Sequence, residues 1–198
     1  MNKFEKAALQ IIEAYNCYTA YKNKTEWNTP GLIAVIHATP EDSNEPEPWG
    51  FISLDADGIN IVFRGTDSIF DWINNSELSE GWDKLYSQFS TKLLQLLSVN
   101  INNVINVYGH SAGCCLAKRL IRDLPKQVNS ALIAAPKDTL RVSCDVVNNE
   151  HDVVPKAPEL LENYSQCGNI TQVSFFHFDL IKCHSIYNYK LKFQELGI

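Results

Sequence analysis

The stretch Val107-Tyr108-Gly109-His110-Ser111-Ala112-Gly113 joins an apolar run to a helix-period run, and it constrains this chain more than any other segment. It spells Gly-x-Ser-x-Gly, the pattern of a sharp strand-to-helix turn that holds a serine in strained backbone with its hydroxyl at the edge of a sheet. Such a turn needs residues without bulk at Gly109 and Gly113. It leaves the serine at the N-terminus of the following helix, where free N–H groups and the helix dipole favour a developing oxyanion. A serine hydroxyl is a poor nucleophile until a neighbouring base takes its proton. The segment alone could equally be a glycine-rich turn with an incidental serine, so its meaning depends on the rest of the chain.

The flanking periodicity gives an alternating layout. Phe4 to Tyr21 carries a helical apolar stripe, and Gly31 to Ala38 reads as a buried strand. Glu41 to Pro48, rich in acids and prolines, reads as an exposed loop. Two strands follow, Trp49 to Leu54 and Ile59 to Phe63, with a hairpin signal at Asp57-Gly58. Gly65 to Leu78 reads as a short helical or irregular excursion, and Trp82 to Leu97 as an amphipathic helix. Val104 to Tyr108 is a strand running into the serine turn. Ala112 to Leu124 is a helix with Leu116, Leu120 and Leu124 four apart, stopped by Pro125. Short strands at Ala131 to Ala135, Arg141 to Val147 and Val173 to Phe178 precede a closing helix over Ile186 to Leu196. Strands alternating with helices predict α/β architecture, with a mostly parallel central sheet flanked by helices.

A chain of 198 residues that is 45% hydrophobic suits one domain spanning residues 1–198. No run is long and apolar enough to span a membrane. The opening Met1-Asn2-Lys3-Phe4-Glu5-Lys6 lacks the apolar stretch of a signal peptide, which makes a cytoplasmic location the default expectation. Delivery by a dedicated secretion machine is the alternative. A net charge of −6, with no cluster of Lys and Arg, argues against a nucleic-acid partner. Six cysteines without a secretory signal read as free, buried structural thiols, with Cys183 left open because it precedes His184. No His-Glu-x-x-His, phosphate-cradling loop or dinucleotide fingerprint occurs, so neither a metal nor a cofactor is expected.

The base and its orienting acid should follow Ser111, in the order acid then histidine. Asp152 lies where the strand-like Val146-Val147 runs into a polar loop, the sheet edge at which ligands bind in α/β proteins. Asp138, Asp145 and Glu150 compete with it; Asp145 reads as a strand residue and Asp138 as a turn residue after Pro136. His184 is the best-placed histidine, after the last strand and before the closing helix. His177 reads as a strand residue, His37 precedes the serine, His151 adjoins Asp152, and His110 is the variable position of the serine motif.

Together these blocks resemble the class 3 lipase family of α/β-hydrolases, which includes the small fungal triacylglycerol lipases. Ile59 to Thr66, followed by Asp71-Trp72, is similar to the family's oxyanion segment. Val107 to Gly113 is similar to its nucleophile motif, and Val146 to Pro155 to its Asp-x-Val-Pro loop. His184-Ser185 followed by Tyr187 is similar to its weaker terminal His-x-x-x-Tyr region. The resemblance runs from Gly31 to Tyr189. It implies Ser111 as nucleophile, His184 as general base and acid, Asp152 as orienter, and an oxyanion hole from Ala112 and Thr66. It further implies that Arg64 supports the oxyanion loop, with Asp71 as an ion-pair partner; Ile69 and Phe70 either lie in a lid over the serine or pack into the core. Trp72 reads as core. The departures are Glu80-Gly81-Trp82 where the family often has a His-Gly-Phe step, Cys114 where a glycine is frequent, and short Ser-to-Asp and Asp-to-His spacings.

The expected activity is therefore hydrolysis of carboxylic esters, with a lipid or acyl-ester substrate and transient contact with a membrane or micelle surface. The alternatives are a thioesterase or small-molecule acyl hydrolase, and a hydrolase-fold protein that binds without turnover. Acyl length, head group and oligomeric state are not legible in the sequence.

Overall fold

The computed structural model describes residues 1–40, 43–66, 78–100, 103–125, 127–155, 169–177 and 180–198. Seven strands form one sheet in the order β1 to β7: Leu32–Ala38, Glu47–Asp55, Gly58–Phe63, Ile105–His110, Asn129–Ile133, Asp145–Asn149 and Asn169–Val173. The first three pair antiparallel, and every pairing from β3 to β7 is parallel. The helices are α1 (Lys3–Asn23), α2 (Leu78–Ser98), α3 (Gly113–Asp123), α4 (Leu180–His184) and α5 (Ile186–Leu196). Among the described residues no helix is long and apolar enough to cross a membrane.

Parallel strands buried on both faces supply side chains alternately to two cores. Ile61, Phe63, Ile105 and Val107 point to one face, where they meet Leu85, Phe89 and Leu93 of α2 and Leu116 and Leu120 of α3. Val62, Tyr108, Ile133 and Val147 point to the other, against Phe4, Ala8 and Ile11 of α1 and Tyr189 and Phe193 of α5. Sequential strand order with crossovers of one hand puts successive connections on the same side, and α2 and α3 share one. The small residues Ala7, Ala8 and Ala14 let α1 lie close across β2 to β5. Its N-terminus is capped by Asn2, whose side chain accepts from the Glu5 N–H at 2.9 Å.

Register is fixed by polar groups as well as packing. Asn60, Asn106 and Asn129 stand side by side on β3, β4 and β5. Their amides form a ladder, Asn129 to Asn106 and Asn106 to Asn60, each at 3.1 Å. Slipping either pairing by one residue would leave these amides unpaired and turn every apolar side chain to the wrong face. The opposite ends of β3, β4, β5 and β6 are thereby aligned, and the chain leaves them at Arg64, Ser111, Ala134 and Glu150.

Several expected boundaries shift. The strand anticipated at Arg141 to Val147 forms instead at Asp145–Asn149, because Asn148 and Asn149 are buried and hydrogen-bonded. Asp145 consequently opens its strand and pairs with Lys3. The strand anticipated at Val173 to Phe178 ends at Val173. There the Asn149 side chain takes the place of a ladder partner, bonding both N–H and C=O of Phe175 at 3.1 and 2.9 Å. His177 therefore lies in irregular chain. Asp138 is no simple turn former: it is buried and ion-paired with Arg119 at 2.9 Å. Of the six cysteines, the five that are described form no disulfide, and all five are buried.

The Ser111 turn sets a steric limit that can be measured. A Cβ on Gly113 would fall 2.3 Å from the Arg64 carbonyl oxygen and 2.7 Å from that of Phe63. Gly113→Ala should destabilise the protein by about 3 kcal/mol or more, since backbone must move. Gly81→Ala in α2, where a Cβ would meet nothing within 4 Å among the described residues, should stabilise it by about 0.5–1 kcal/mol. Urea unfolding of both variants reads the contrast.

Candidate active site

The aligned strand ends assemble the site. β4 ends at His110, and Ser111 follows with φ of 52°, a left-handed conformation that few non-glycine residues adopt. Its N–H donates to the Ile133 carbonyl at the end of β5 (3.1 Å), which anchors the strained turn to a neighbouring strand. The chain then reverses into α3, with the Cys114 N–H closing back on the Ser111 carbonyl at 2.9 Å. Ser111 is 5% exposed. Ala112 begins the first turn of α3 and is buried as well.

Asp152 lies three residues beyond β6, fully buried. Three donors converge on its carboxylate. The His184 ring donates from Nδ1 to Oδ2 at 2.8 Å, the Tyr189 hydroxyl donates to Oδ2 at 3.0 Å, and the Val154 N–H donates to Oδ1 at 3.0 Å. An acceptor-only carboxylate fixes the histidine tautomer: Nδ1 carries the proton and Nε2 keeps a free lone pair. His184 Nε2 is buried and has no hydrogen-bond partner among the described residues. A buried nitrogen in that state is costly unless something reacts with it or fills the space beside it. No hydrogen bond joins it to the Ser111 hydroxyl here; such contacts commonly tighten only when substrate is bound.

Tyr189 completes the carboxylate's support. Its oxygen accepts from the Asn149 N–H at 2.6 Å while its proton goes to Asp152. Burial and the adjacent carboxylate push its pKa well above the ordinary tyrosine range, so it remains a phenol and a donor. The tyrosine in contact with Asp152 is thus Tyr189, whereas Tyr187 of the terminal motif block is exposed. His184 lies after the last strand and before the closing helix, as expected, at the end of the short helix α4.

The segment after β3 abuts Ser111. A Cβ on Gly65 would lie 2.8 Å from Ser111 Cβ, so only glycine allows this approach. Thr66 follows, half-buried. Arg64 is buried and holds the segment from behind, donating to the carbonyls of Pro48 and Gly65 at 2.7 Å each and to Glu47 at 2.8 Å. Its guanidinium stacks on Tyr18 at 3.6 Å and faces Trp49 at 4.9 Å. Among the described residues Glu47 is an ion-pair partner of Arg64 at 2.8 Å, consistent with a supporting role for this side chain. Asp71, Trp72, Ile69 and Phe70 lie outside the described residues. Asp145 and Glu150 stand apart from Asp152, pairing with Lys3 and with His151 and Ser174 respectively.

His110, the variable residue of the motif, is one of the most constrained side chains in the site. Its Nδ1 meets the Tyr15 hydroxyl at 2.9 Å, its Nε2 donates to the His184 carbonyl at 2.9 Å, and the two histidine rings lie 4.8 Å apart. The Tyr15 oxygen accepts from the Gly65 N–H at 3.0 Å. Only the position of His110, directly before a motif serine at a strand end, could have flagged it. Tyr15 and Tyr189 are visible in the sequence only as parts of helical stripes. Among the described residues no group of three His, Cys, Asp or Glu is placed to hold a metal ion.

No protein-family model matches this chain, and no curated protein matches it. Its fold is similar to those of fungal lipases. A triacylglycerol lipase from Penicillium expansum aligns with a TM-score of 0.56 at 16% identity, covering 86% of this chain and 80% of that one. The nonglycosylated LIP2 lipase of Yarrowia lipolytica aligns with a TM-score of 0.66 at 18% identity, covering 87% and 79%. Lipase II from Rhizopus niveus aligns with a TM-score of 0.60 at 16% identity, covering 85% and 80%. The architecture is therefore the fungal lipase-like α/β-hydrolase fold, as the resemblance of the motifs implied.

Burial and the neighbouring His184 lower the His110 pKa well below the ordinary value near 6.5. The unfolded chain therefore takes up a proton below about pH 6.5 that the native state refuses. Stability should fall as pH drops from 7 to 5, with a slope from this group of at most about 1.4 kcal/mol per pH unit. Urea midpoints across that range should flatten by this amount in His110→Gln.

Proposed function

We propose that this lipase-fold chain is a serine hydrolase of carboxylic esters, acting on lipid or acyl esters through Ser111, His184 and Asp152. The observation that carries the reading is the buried His184 ring. Its Nδ1 is bound to a carboxylate held by two further donors, its Nε2 has no hydrogen-bond partner among the described residues, and its backbone is bonded to His110, the residue before the motif serine. That arrangement supplies a base already in the tautomer it needs.

In this mechanism Ser111 Oγ attacks the ester carbonyl carbon as His184 Nε2 takes its proton. Asp152 steadies the imidazolium without itself taking a proton. The developing oxyanion is met by the Ala112 N–H, at the start of α3, and by Thr66, on the segment that abuts Ser111 through Gly65. Collapse of the tetrahedral intermediate expels the alcohol, which receives the proton from His184. Water, activated by the same nitrogen, then attacks the acyl-enzyme; a second collapse releases the acid and restores Ser111. All of this chemistry is available to the side chains themselves. The fold shared with the triacylglycerol lipase of Penicillium expansum favours a lipid ester over a thioester. A lipid substrate would bring the protein into transient contact with a membrane or micelle surface.

Hydrolysis of p-nitrophenyl and glyceryl esters of rising acyl length, soluble and micellar, tests both the reaction and the substrate class. Ser111→Ala should lower kcat by on the order of 10⁶-fold, and Asp152→Asn by on the order of 10⁴-fold by favouring the wrong tautomer. A folded wild-type protein that cleaves none of these esters would rule the proposal out. Preference for short acyl thioesters would instead favour the thioesterase reading.

A further inference from the structure

His110 stands next to the nucleophile, but the proposed mechanism gives it no proton to carry. Its hydrogen bonds have a fixed direction. The His184 carbonyl can only accept, so Nε2 of His110 must be the protonated nitrogen. In the neutral ring Nδ1 is then a bare acceptor, and the Tyr15 hydroxyl must donate to it. The Tyr15 oxygen in turn accepts the Gly65 N–H. The result is a one-way chain, Gly65 N–H to Tyr15, Tyr15 to His110, His110 to the backbone of His184, with links of 3.0, 2.9 and 2.9 Å.

The ends of this chain are the two parts of the site whose separation matters most. Gly65 precedes Thr66 and lies against Ser111, at a place where even a methyl group would collide with the Ser111 Cβ and the Tyr15 hydroxyl. His184 is the residue bound to Asp152. These two residues are distant in sequence, and the connection between them runs through a side chain of α1 and the residue preceding the serine. The two imidazoles also lie 4.8 Å apart at a shallow tilt, so the position of one ring constrains the other.

We infer that Tyr15 and His110 form a positioning relay, which sets the distance between the oxyanion segment at Gly65–Thr66 and the base His184. The inference rests on the hydrolase reading of the site. The two residues act through others: neither has to touch the substrate. Its energetic logic is that of orientation, since misplacing a reacting group by about 1 Å can cost on the order of 10²-fold in rate. The buried hydroxyl of Tyr15 is the hub. Removing it strands a donor at Gly65 and an acceptor at His110 together, and both ends should relax.

The test combines ester kinetics with proton–nitrogen NMR of Tyr15→Phe, His110→Gln and His110→Leu in the full chain, each checked by thermal unfolding. In Tyr15→Phe kcat should fall about 10-fold or more with KM within about twofold, as expected for lost orientation with binding intact. The Gly65 amide proton and the His184 ring Nδ1 proton should both shift. His110→Gln, whose amide can still donate to the His184 carbonyl, should keep more of kcat than His110→Leu at equal folded fraction. A folded Tyr15→Phe with kcat within about twofold of wild type, or with either signal unmoved, overturns the relay. Should Tyr15→Phe not fold, His110→Gln carries the same two signals: joint shifts uphold the relay, and an unmoved signal overturns it. If the wild type cleaves no ester, the hydrolase reading fails separately. The NMR signals then decide the coupling alone, on the same two outcomes.

Discussion

The structure depends on one close approach, that of the Ser111 turn to the end of β3. Gly113 brings the start of α3 against the carbonyls of Phe63, at the end of β3, and Arg64 just beyond it, and Gly65 brings the following segment against Ser111. Ser111 itself is held in left-handed backbone by its N–H bond to β5. Three strands thus meet at one residue, and no side chain larger than hydrogen fits at either glycine. Strain of this kind costs on the order of 1–3 kcal/mol and persists only where the surroundings over-determine it. The two apolar cores and the asparagine ladder supply that rigidity by fixing the register of β3, β4 and β5.

Around this turn, polar groups are arranged so that each has a single role. Asp152 accepts from three donors, Tyr189 bridges it to the backbone of β6, and His184 keeps one nitrogen without a partner among the described residues. Arg64 could have been a substrate-binding cation. It is instead consumed by two carbonyls, Glu47 and the faces of Tyr18 and Trp49. Helix α1 emerges as more than a cover for the sheet. Tyr15 and Tyr18, three positions apart on one face, reach Gly65 and Arg64 respectively.

Much of this is legible in the chain because it is local. Glycine spacing around Ser111, the hairpin at Asp57-Gly58, and the stripes of α1 and α2 all express geometry within a few residues. The closing helix is found where its periodicity places it, at Ile186–Leu196. The features that periodicity misses are set by distant partners. The bounds of β6 and β7 differ from expectation because Asn149, a polar residue with no pattern around it, is satisfied by Phe175 and Cys183 from a later part of the chain. Asp138 has the local signature of a turn residue, but its partner Arg119 lies on another element. His110, Tyr15 and Tyr189 are hidden for the same reason: their bonds cross 74, 95 and 37 residues. Hydrophobic period reports which face of an element is buried, but not which hydroxyl on that face meets a ring nitrogen.

The central claim is that Ser111 is a nucleophile activated by the Asp152-bound His184. The most direct measurement is covalent capture with a fluorophosphonate probe, followed by peptide mass spectrometry. The account predicts a single adduct on the peptide containing Ser111, abolished in Ser111→Ala and slowed at least about 100-fold in His184→Ala, since general-base assistance is typically worth roughly 10²–10⁴-fold. A folded wild-type protein that forms no adduct, or one whose labelling persists in Ser111→Ala, would contradict it.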